Sequence, residues 1–143
     1  MVLADALTTA VLGRAHAALD CDLRRLTALA RKTPPTPDEL RDGLEATQAH
    51  IAEHFRLEEE NGHLESVRQR DPRLGRSIDQ LAEDHRQLTR GLDTLVGQAR
   101  AAVQADEALC AGVRAWVRDL RQHEQRENAL VQDAYNLDIG AED

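Results

Sequence analysis

Apolar residues recur along the chain at intervals of three and four, which is the period of an α-helix with one buried face. In the first stretch these positions are Leu12, Leu19, Leu23 and Leu26. Three later stretches carry similar stripes: Leu40, Leu44, Thr47 and Ile51, then Ile78, Leu81, Leu88, Leu92 and Val103, then Leu109, Val113, Trp116 and Leu120. Because β-branched residues are also few, a sheet is disfavoured. The pattern therefore predicts an all-α protein.

Prolines and capping residues divide this pattern into four predicted helices, over about residues 3–31, 37–69, 72–103 and 106–134. The first helix must end before Pro34. N-capping residues precede the other three: Thr36 before Pro37, Asp71 before Pro72, and Asp106. Asn61 and Gly62 could kink the second helix. Since short connections make neighbouring helices antiparallel, we expect an up-down-up-down four-helix bundle.

Length and charge narrow the classes of protein further. The 143 residues suit one domain, which we take to span residues 1–143. A formal charge of −8 argues against nucleic acid or an anionic membrane as a partner. No apolar run approaches the ~18 residues of a membrane span, and we expect no signal peptide. Cys21 and Cys110 do not make a disulfide framework, so we expect two free thiols in a reducing cytoplasm.

Four of the six histidines lie within the apolar stripes, one on each predicted helix: His16, His54, His85 and His123. Counted from the helix ends at ~1.5 Å per residue, they fall within about two turns of one level of the bundle. A single histidine on such a stripe is usually a core residue whose ring nitrogens are satisfied locally. Four neutral imidazoles pointing into the middle of one bundle could not easily satisfy one another. We therefore expect a metal site in the core.

Two carboxylates extend the histidine pattern. Glu58 follows His54 by four residues and Glu127 follows His123 by four, which places each pair on one helical face. An unpaired charge on that face would be costly to bury, and a bound cation would neutralise it. The alternative is a pair of exposed glutamates, since three glutamates stand in a row at 58–60. Imidazole and carboxylate donors together suit iron, manganese or zinc.

These residues resemble the motifs of the hemerythrin-like (HHE cation-binding) domains. The resemblance covers nearly the whole chain and rests on His16, His54-Phe55-Arg56-Leu57-Glu58-Glu59-Glu60, Glu83-Asp84-His85-Arg86 and His123-Glu124-Gln125-Arg126-Glu127. It implies an antiparallel four-helix bundle around two non-haem iron ions, joined by an oxo or hydroxo group. It also implies that His16 and His54 ligate one iron and that His85 and His123 ligate the other. Glu58 and Glu127 would bridge the two.

The chain departs from the oxygen-carrying hemerythrins at two positions. They have a second histidine four residues after the one on the third helix, where this chain has Thr89. Their fourth-helix carboxylate is an aspartate five residues after the histidine, whereas Glu127 follows at four. Bacterial and regulatory HHE domains are more similar. Di-iron binding is therefore expected, and reversible oxygen carriage does not follow from the resemblance.

Two further histidines lie near the second-helix motif. His50 precedes His54 by four residues, so it also faces roughly inward. It is either an additional ligand or an outer hydrogen-bond partner of a ligand. His63 follows Gly62, and we expect it to face solvent.

Two functional classes remain open. The first is a binding protein that takes dioxygen, or that senses oxygen, iron or nitric oxide. The alternative is a di-iron redox enzyme, an oxidase or peroxidase acting on peroxide, dioxygen or ferrous iron. Rubrerythrins and ferritins use Glu-x-x-His pairs, but Ala82 and Leu120 stand three residues before His85 and His123. A metal-free interaction bundle would require the six candidate ligands to coincide by chance.

The residues above and below the expected metals are apolar: Leu12, Leu19, Leu88, Trp116 and Leu120. We expect such a lining to admit small uncharged molecules such as dioxygen, nitric oxide or peroxide.

Overall fold

The computed structural model describes the backbone of residues 2–31, 36–60 and 63–142, and the side chains of residues 14–31, 36–59 and 64–133. Its elements are α1 (Val2–Arg31), α2 (Pro37–Glu60), α3 (His63–Arg70), a short 3-10 helix (Pro72–Leu74), α4 (Gly75–Ala101) and α5 (Glu107–Glu142). These ranges contain no strand. The all-α fold that the apolar pattern predicts is confirmed for them.

The four long helices pack in a ring. α1 contacts α2 and α5, and α4 contacts the same two helices from the other side. The short α3 lies against α2, α4 and α5. Polar contacts between α2 and α4 pair Glu45 with Arg100 and Gln48 with Asp93. The arrangement is a helical bundle whose interior is reached by side chains from each long helix.

The predicted helix starts are explained by local hydrogen bonds. Asp106 caps α5, because its Oδ1 accepts the backbone N–H of Leu109 at 2.8 Å. Asp71 caps the 3-10 helix, where its Oδ1 accepts the backbone N–H of Arg73 at 3.1 Å. α2 begins at Pro37, as the Thr36-Pro37 signal predicts.

One predicted boundary is wrong. Val103 does not belong to the third long helix, because α4 ends at Ala101 and Ala102 has extended backbone angles; the Val103 side chain is 93% exposed. Of the second predicted helix, 37–69, the structure describes α2 up to Glu60 and α3 from His63. Residues 61 and 62, where a kink was expected, lie outside the described residues.

The buried side chains form two apolar clusters with a polar layer between them. On α4, Leu81 belongs to the smaller cluster and Leu88 to the larger, and His85 lies between them in sequence. The same order is found on α5, with Leu120, His123 and Leu130. The buried polar residues of this layer include His54, Glu58, Asp84, His85, His123 and Glu127. A bundle that encloses so many polar groups at one level needs a specific reason to do so.

Two further features bear on the sequence expectations. Cys21 is exposed and Cys110 is buried, and both are free. Within the described ranges, no helix combines the length and the apolarity that crossing a bilayer requires.

Candidate metal centre

The six predicted ligands come together, in two adjacent groups. His16, His54 and Glu58 form the first donor group, and His85, His123 and Glu127 form the second donor group. Within each group the candidate donor atoms all lie within 4.8 Å of one another. The helical repeat explains part of this, because a spacing of four on α2 and on α5 stacks each histidine beside its glutamate.

Among the four candidate ligand histidines, His16 is exposed to solvent and the other three are buried. His54, His85 and His123 are 1%, 4% and 1% exposed, as expected for side chains in the middle of a bundle. His16 is exposed, which corrects the expectation that all four rings are enclosed there. Its neighbours Arg14 and Ala17 are exposed too. Its ring nevertheless lies edge-on to that of His54, with 4.4 Å between the centroids.

The two glutamates lie between histidines of different helices. Oε1 of Glu58 is 2.6 Å from Nε2 of His54, and its Oε2 is 3.4 Å from Nε2 of His85. Oε2 of Glu127 is 3.2 Å from Nε2 of His123 and 3.8 Å from Nε2 of His85. Glu58 therefore contacts both donor groups directly.

Many polar atoms in this layer have no hydrogen-bond partner. Although Oε1 of Glu58 lies 2.6 Å from Nε2 of His54, the two groups are not oriented as a hydrogen bond. The buried atoms without a hydrogen bond are Nδ1 of His54, both carboxylate oxygens of Glu58, both ring nitrogens of His85, and Nε2 of His123. Leaving a buried polar atom unpaired costs about 1–3 kcal/mol, so such a concentration is unfavourable without a further ligand. Imidazole nitrogens and carboxylate oxygens pointing at common centres are the donor set of iron, zinc or manganese. The residues present therefore fit a metal centre.

Opposite charges in the layer shift one another's pKa values. Burial alone would lower the pKa of His85, but the carboxylates of Glu127 and Glu58 outweigh it and raise that pKa to about 9. Burial would raise the pKa of Glu127, but contact with His123 and His85 holds that pKa well below its usual range. An anionic Glu127 carboxylate therefore lies beside the imidazoles of His123 and His85, an arrangement that a divalent cation would stabilise.

Comparison with protein families identifies the chain. The sequence model of the Hemerythrin HHE cation binding domain matches residues 7–135. The chain belongs to this family. Searches of the curated proteins and of the solved structures returned no match.

The HHE domain contains a buried carboxylate that the sequence analysis did not single out as functional. Asp84 on α4 is 8% exposed, and its Oδ2 lies 3.3 Å from Nδ1 of His123. The same oxygen accepts a 2.9 Å hydrogen bond from Arg126, and Oδ1 accepts one of 3.2 Å from Gln80. Asp84 belongs to the motif Glu83-Asp84-His85-Arg86, and its position directly before a predicted ligand is the signal that could have drawn attention to it.

Glu124, which directly follows His123, is a second carboxylate near the site that the sequence analysis did not single out as functional. It is partly buried, and burial raises the pKa of its carboxyl. Positive charge on His16 and His54 acts in the opposite direction, and Glu58 adds to the increase. Glu124 therefore adds a carboxyl close to the first donor group.

Three further positions from the sequence analysis are His50, His63 and Thr89. Nδ1 of His50 contacts the carboxylate of Asp22 on α1, and His50 belongs to neither donor group. The side chain of His63 lies outside the described residues. Thr89 is exposed, and its hydroxyl donates to the carbonyl of His85 at 2.8 Å. This threonine therefore contributes no imidazole at the position where the oxygen-carrying hemerythrins have one.

A surface cavity of about 510 Å³ lies between α2 and α4 and reaches His85. Phe55 and Thr89 are among its lining residues. The ring of Phe55 stacks on the imidazole of His85, with 3.9 Å between centroids and 11° between planes. Four residues of the expected apolar lining are buried in the larger cluster, namely Leu19, Leu88, Trp116 and Leu120. The Leu12 side chain lies outside the described residues.

Proposed function

We propose that this chain is a non-haem di-iron protein that binds dioxygen or a related small ligand, and that it uses this binding to sense oxygen, nitric oxide or iron. The observation that carries the proposal is the buried polar layer, in which atoms of His54 and Glu58 from the first donor group and of His85 and His123 from the second lack hydrogen-bond partners. The family match supports metal binding by the chain as a whole.

In this proposal the first donor group holds one iron and the second holds the other. Support for two ions comes from Glu58, whose two oxygens lie 2.6 Å from His54 and 3.4 Å from His85, in different groups. Glu58 and Glu127 would then bridge the ions. Iron is preferred to zinc or manganese because of the family, since the donor atoms alone allow all three.

We propose that the bundle is antiparallel, with the metals in its core. Contacts between α2 and α4 support this, because their chain order is opposed: residues 45, 48 and 58 meet residues 100, 93 and 85 in turn. An antiparallel arrangement would place the middle of each long helix at one level, where the predicted ligands lie. The exposed free thiol of Cys21 suits a reducing cytoplasm, which we propose as the location.

When bound, two ferrous ions would supply electrons and open coordination positions for a small ligand. The chain's part is to hold the ions and to limit access. The cavity between α2 and α4 would be the approach to His85, and the ring of Phe55 would restrict it to small molecules such as dioxygen, nitric oxide or peroxide.

A second candidate function is a di-iron oxidase or peroxidase. The observation that favours it is Thr89, which is turned to the backbone of its own helix and supplies no fifth imidazole. An ion held by two imidazoles and shared carboxylates keeps more open positions than a carrier needs. Those positions would favour turnover of peroxide, dioxygen or ferrous iron.

The direct test of the proposed function is an absorption spectrum of the iron-loaded protein with and without dioxygen, nitric oxide or azide. The proposal requires a charge-transfer band that changes on addition of at least one of these ligands. A matched sample of the His123→Ala variant should lose the response. An iron-loaded protein whose spectrum is indifferent to all three ligands would contradict the proposal.

A further inference from the structure

Asp84 forms a polar network on the outer side of His123. It lies on α4 and is buried, yet it is not a member of either donor group. Its Oδ2 is 3.3 Å from Nδ1 of His123 and accepts a 2.9 Å hydrogen bond from Arg126, while Oδ1 accepts from Gln80. These contacts join α4 to α5 and fix the carboxylate against the back of the imidazole.

The network determines how the His123 ring is presented. With Nδ1 directed at Asp84, the opposite nitrogen, Nε2, faces Glu127 at 3.2 Å and has no hydrogen-bond partner. A histidine that donates Nδ1–H to a carboxylate keeps its Nε2 lone pair free and aimed, and becomes a stronger ligand. Asp84 therefore acts on the second donor group through His123.

The first donor group differs in this respect. Nδ1 of His54 is buried and has no hydrogen-bond partner. The buried carboxylate on this side, Asp22, contacts His50, which belongs to neither donor group. The two halves of the layer therefore differ at Nδ1 of their buried histidines: that of His123 faces the Asp84 carboxylate, whereas that of His54 has no partner.

Arg126 makes the buried charge of Asp84 tolerable. Its guanidinium extends from α5 to Oδ2 of Asp84 on α4, while its side chain remains 59% exposed. A buried carboxylate without such a partner would be strongly unfavourable. The pair holds the Asp84 carboxylate in place beside Nδ1 of His123.

We infer that Asp84 is a positioning residue that orients His123 and makes the second donor group the tighter and more electron-rich of two unequal metal positions. This inference rests on the proposed di-iron function. A negative charge behind a ligating imidazole stabilises the more oxidised metal, so that metal should have the lower reduction potential.

The test compares Asp84→Asn and Asp84→Ala with Asp22→Asn in the full chain. The asparagine keeps an acceptor for Nδ1–H but removes the charge, whereas alanine removes both. Asp22→Asn is the matched control, because Asp22 is about equally buried (9% against 8%) and also contacts a histidine. The readouts are iron content and affinity, Mössbauer spectra of the two irons, and their midpoint potentials.

We expect Asp84→Ala to weaken binding of one of the two irons by about 10- to 100-fold. Asp84→Asn should retain both irons. The reduction potential of one iron should rise, and the Mössbauer signal of the same iron should shift. Asp22→Asn should match the wild type in all readouts. If Asp84→Ala does not fold, the shift of one iron's reduction potential in Asp84→Asn still tests the inference.

Unchanged affinity and potentials in the Asp84→Asn protein would overturn the inference, and so would equal shifts of both irons or an equal shift in Asp22→Asn. These outcomes are distinct from failure of the proposed function, which would be seen in the wild type itself as an absence of iron.

Discussion

The Oε2 atom of Glu58 on α2 lies 3.4 Å from Nε2 of His85 on α4. This contact crosses from the first donor group to the second, since the other oxygen of Glu58 lies 2.6 Å from His54. The buried polar layer is therefore one connected cluster and not two separate sites.

Removing the metal should destabilise the bundle. Binding that favours the folded state adds RT ln(1 + [L]/Kd), which is about 2.7 kcal/mol when the metal is at 100 times its Kd. For a chain of this length that corresponds to a rise in Tm of about 5–10 °C. Differential scanning calorimetry of the iron-loaded and the chelator-treated protein measures the difference.

His123→Ala is the control for this comparison, because it removes a buried ligand from the second donor group. Its Tm should rise less with iron than that of the wild type. Equal melting temperatures for wild-type protein with and without metal would count against a buried metal site.

The stability of the metal-free protein should depend on pH through the polar layer. The folded pKa of His85 is raised from 6.5 to about 9, so its contribution is fully present below pH 6.5 and is lost as the pH rises through about 9. The pKa of Glu127 is lowered from 4.5, so its contribution is present above pH 4.5 and is lost on acidification. Urea denaturation of the metal-free protein should therefore show the highest midpoint between about pH 4.5 and 6.5 and a falling midpoint toward pH 9.

Metal affinity should rise between pH 7 and 9, where the stability of the metal-free protein falls. Imidazole must be deprotonated to bind a metal, so binding displaces the proton that His85 carries below about pH 9. We expect the affinity to rise about tenfold per pH unit from 7 to 9, for release of one proton. Calorimetric titration with Zn²⁺ in buffers of different ionisation enthalpy counts the protons released. An affinity that is constant between pH 7 and 9 would be incompatible with this account.

Reaction with dioxygen should be irreversible in this chain. Thr89 supplies no imidazole, because its hydroxyl donates to the carbonyl of His85. Both ions would then keep exchangeable positions, whereas a carrier needs one guarded vacancy. We expect the ferrous protein to react on rapid mixing with oxygenated buffer and to oxidise without releasing dioxygen under argon.

A Thr89→His variant is the matched comparison for the dioxygen experiment, and it should oxidise more slowly if a fifth imidazole protects the centre. Reversible loss and return of the oxygenated spectrum over many cycles in the wild type would defeat the prediction. His50 would not readily explain such a result, since its Nδ1 contacts Asp22 and it belongs to neither donor group.

The six candidate ligands could be predicted from the sequence because helical periodicity fixes which residues share a face. His54 with Glu58 and His123 with Glu127 are each four apart, and this spacing is sufficient to bring them together on their own helices. The assignment of these residues as ligands remains a prediction, although the structure brings their donor atoms within 4.8 Å of one another in each group.

Asp84 and Glu124 could not be recognised in the same way. Each is adjacent in sequence to a candidate ligand, so it points about 100° away from that ligand around the helix. Whether such a residue meets solvent or a neighbouring helix depends on how the helices are rotated in the bundle. Asp84 meets His123 and Arg126 on α5, which only the packing of α4 against α5 determines. The exposure of His16 depends on packing for the same reason.

The most direct test of a two-metal centre is the metal content of the purified protein by mass spectrometry, for the wild type and three variants grown with iron. His123→Ala and Glu58→Ala each remove a buried donor, and Glu53→Ala is the control, an exposed glutamate on the same helix as Glu58 that pairs with Arg56. Circular dichroism would verify that all four proteins are folded. We predict close to two irons per chain in the wild type and in Glu53→Ala, and clearly fewer in the other two. A folded wild type without metal, or full occupancy in both His123→Ala and Glu58→Ala, would contradict the assignment.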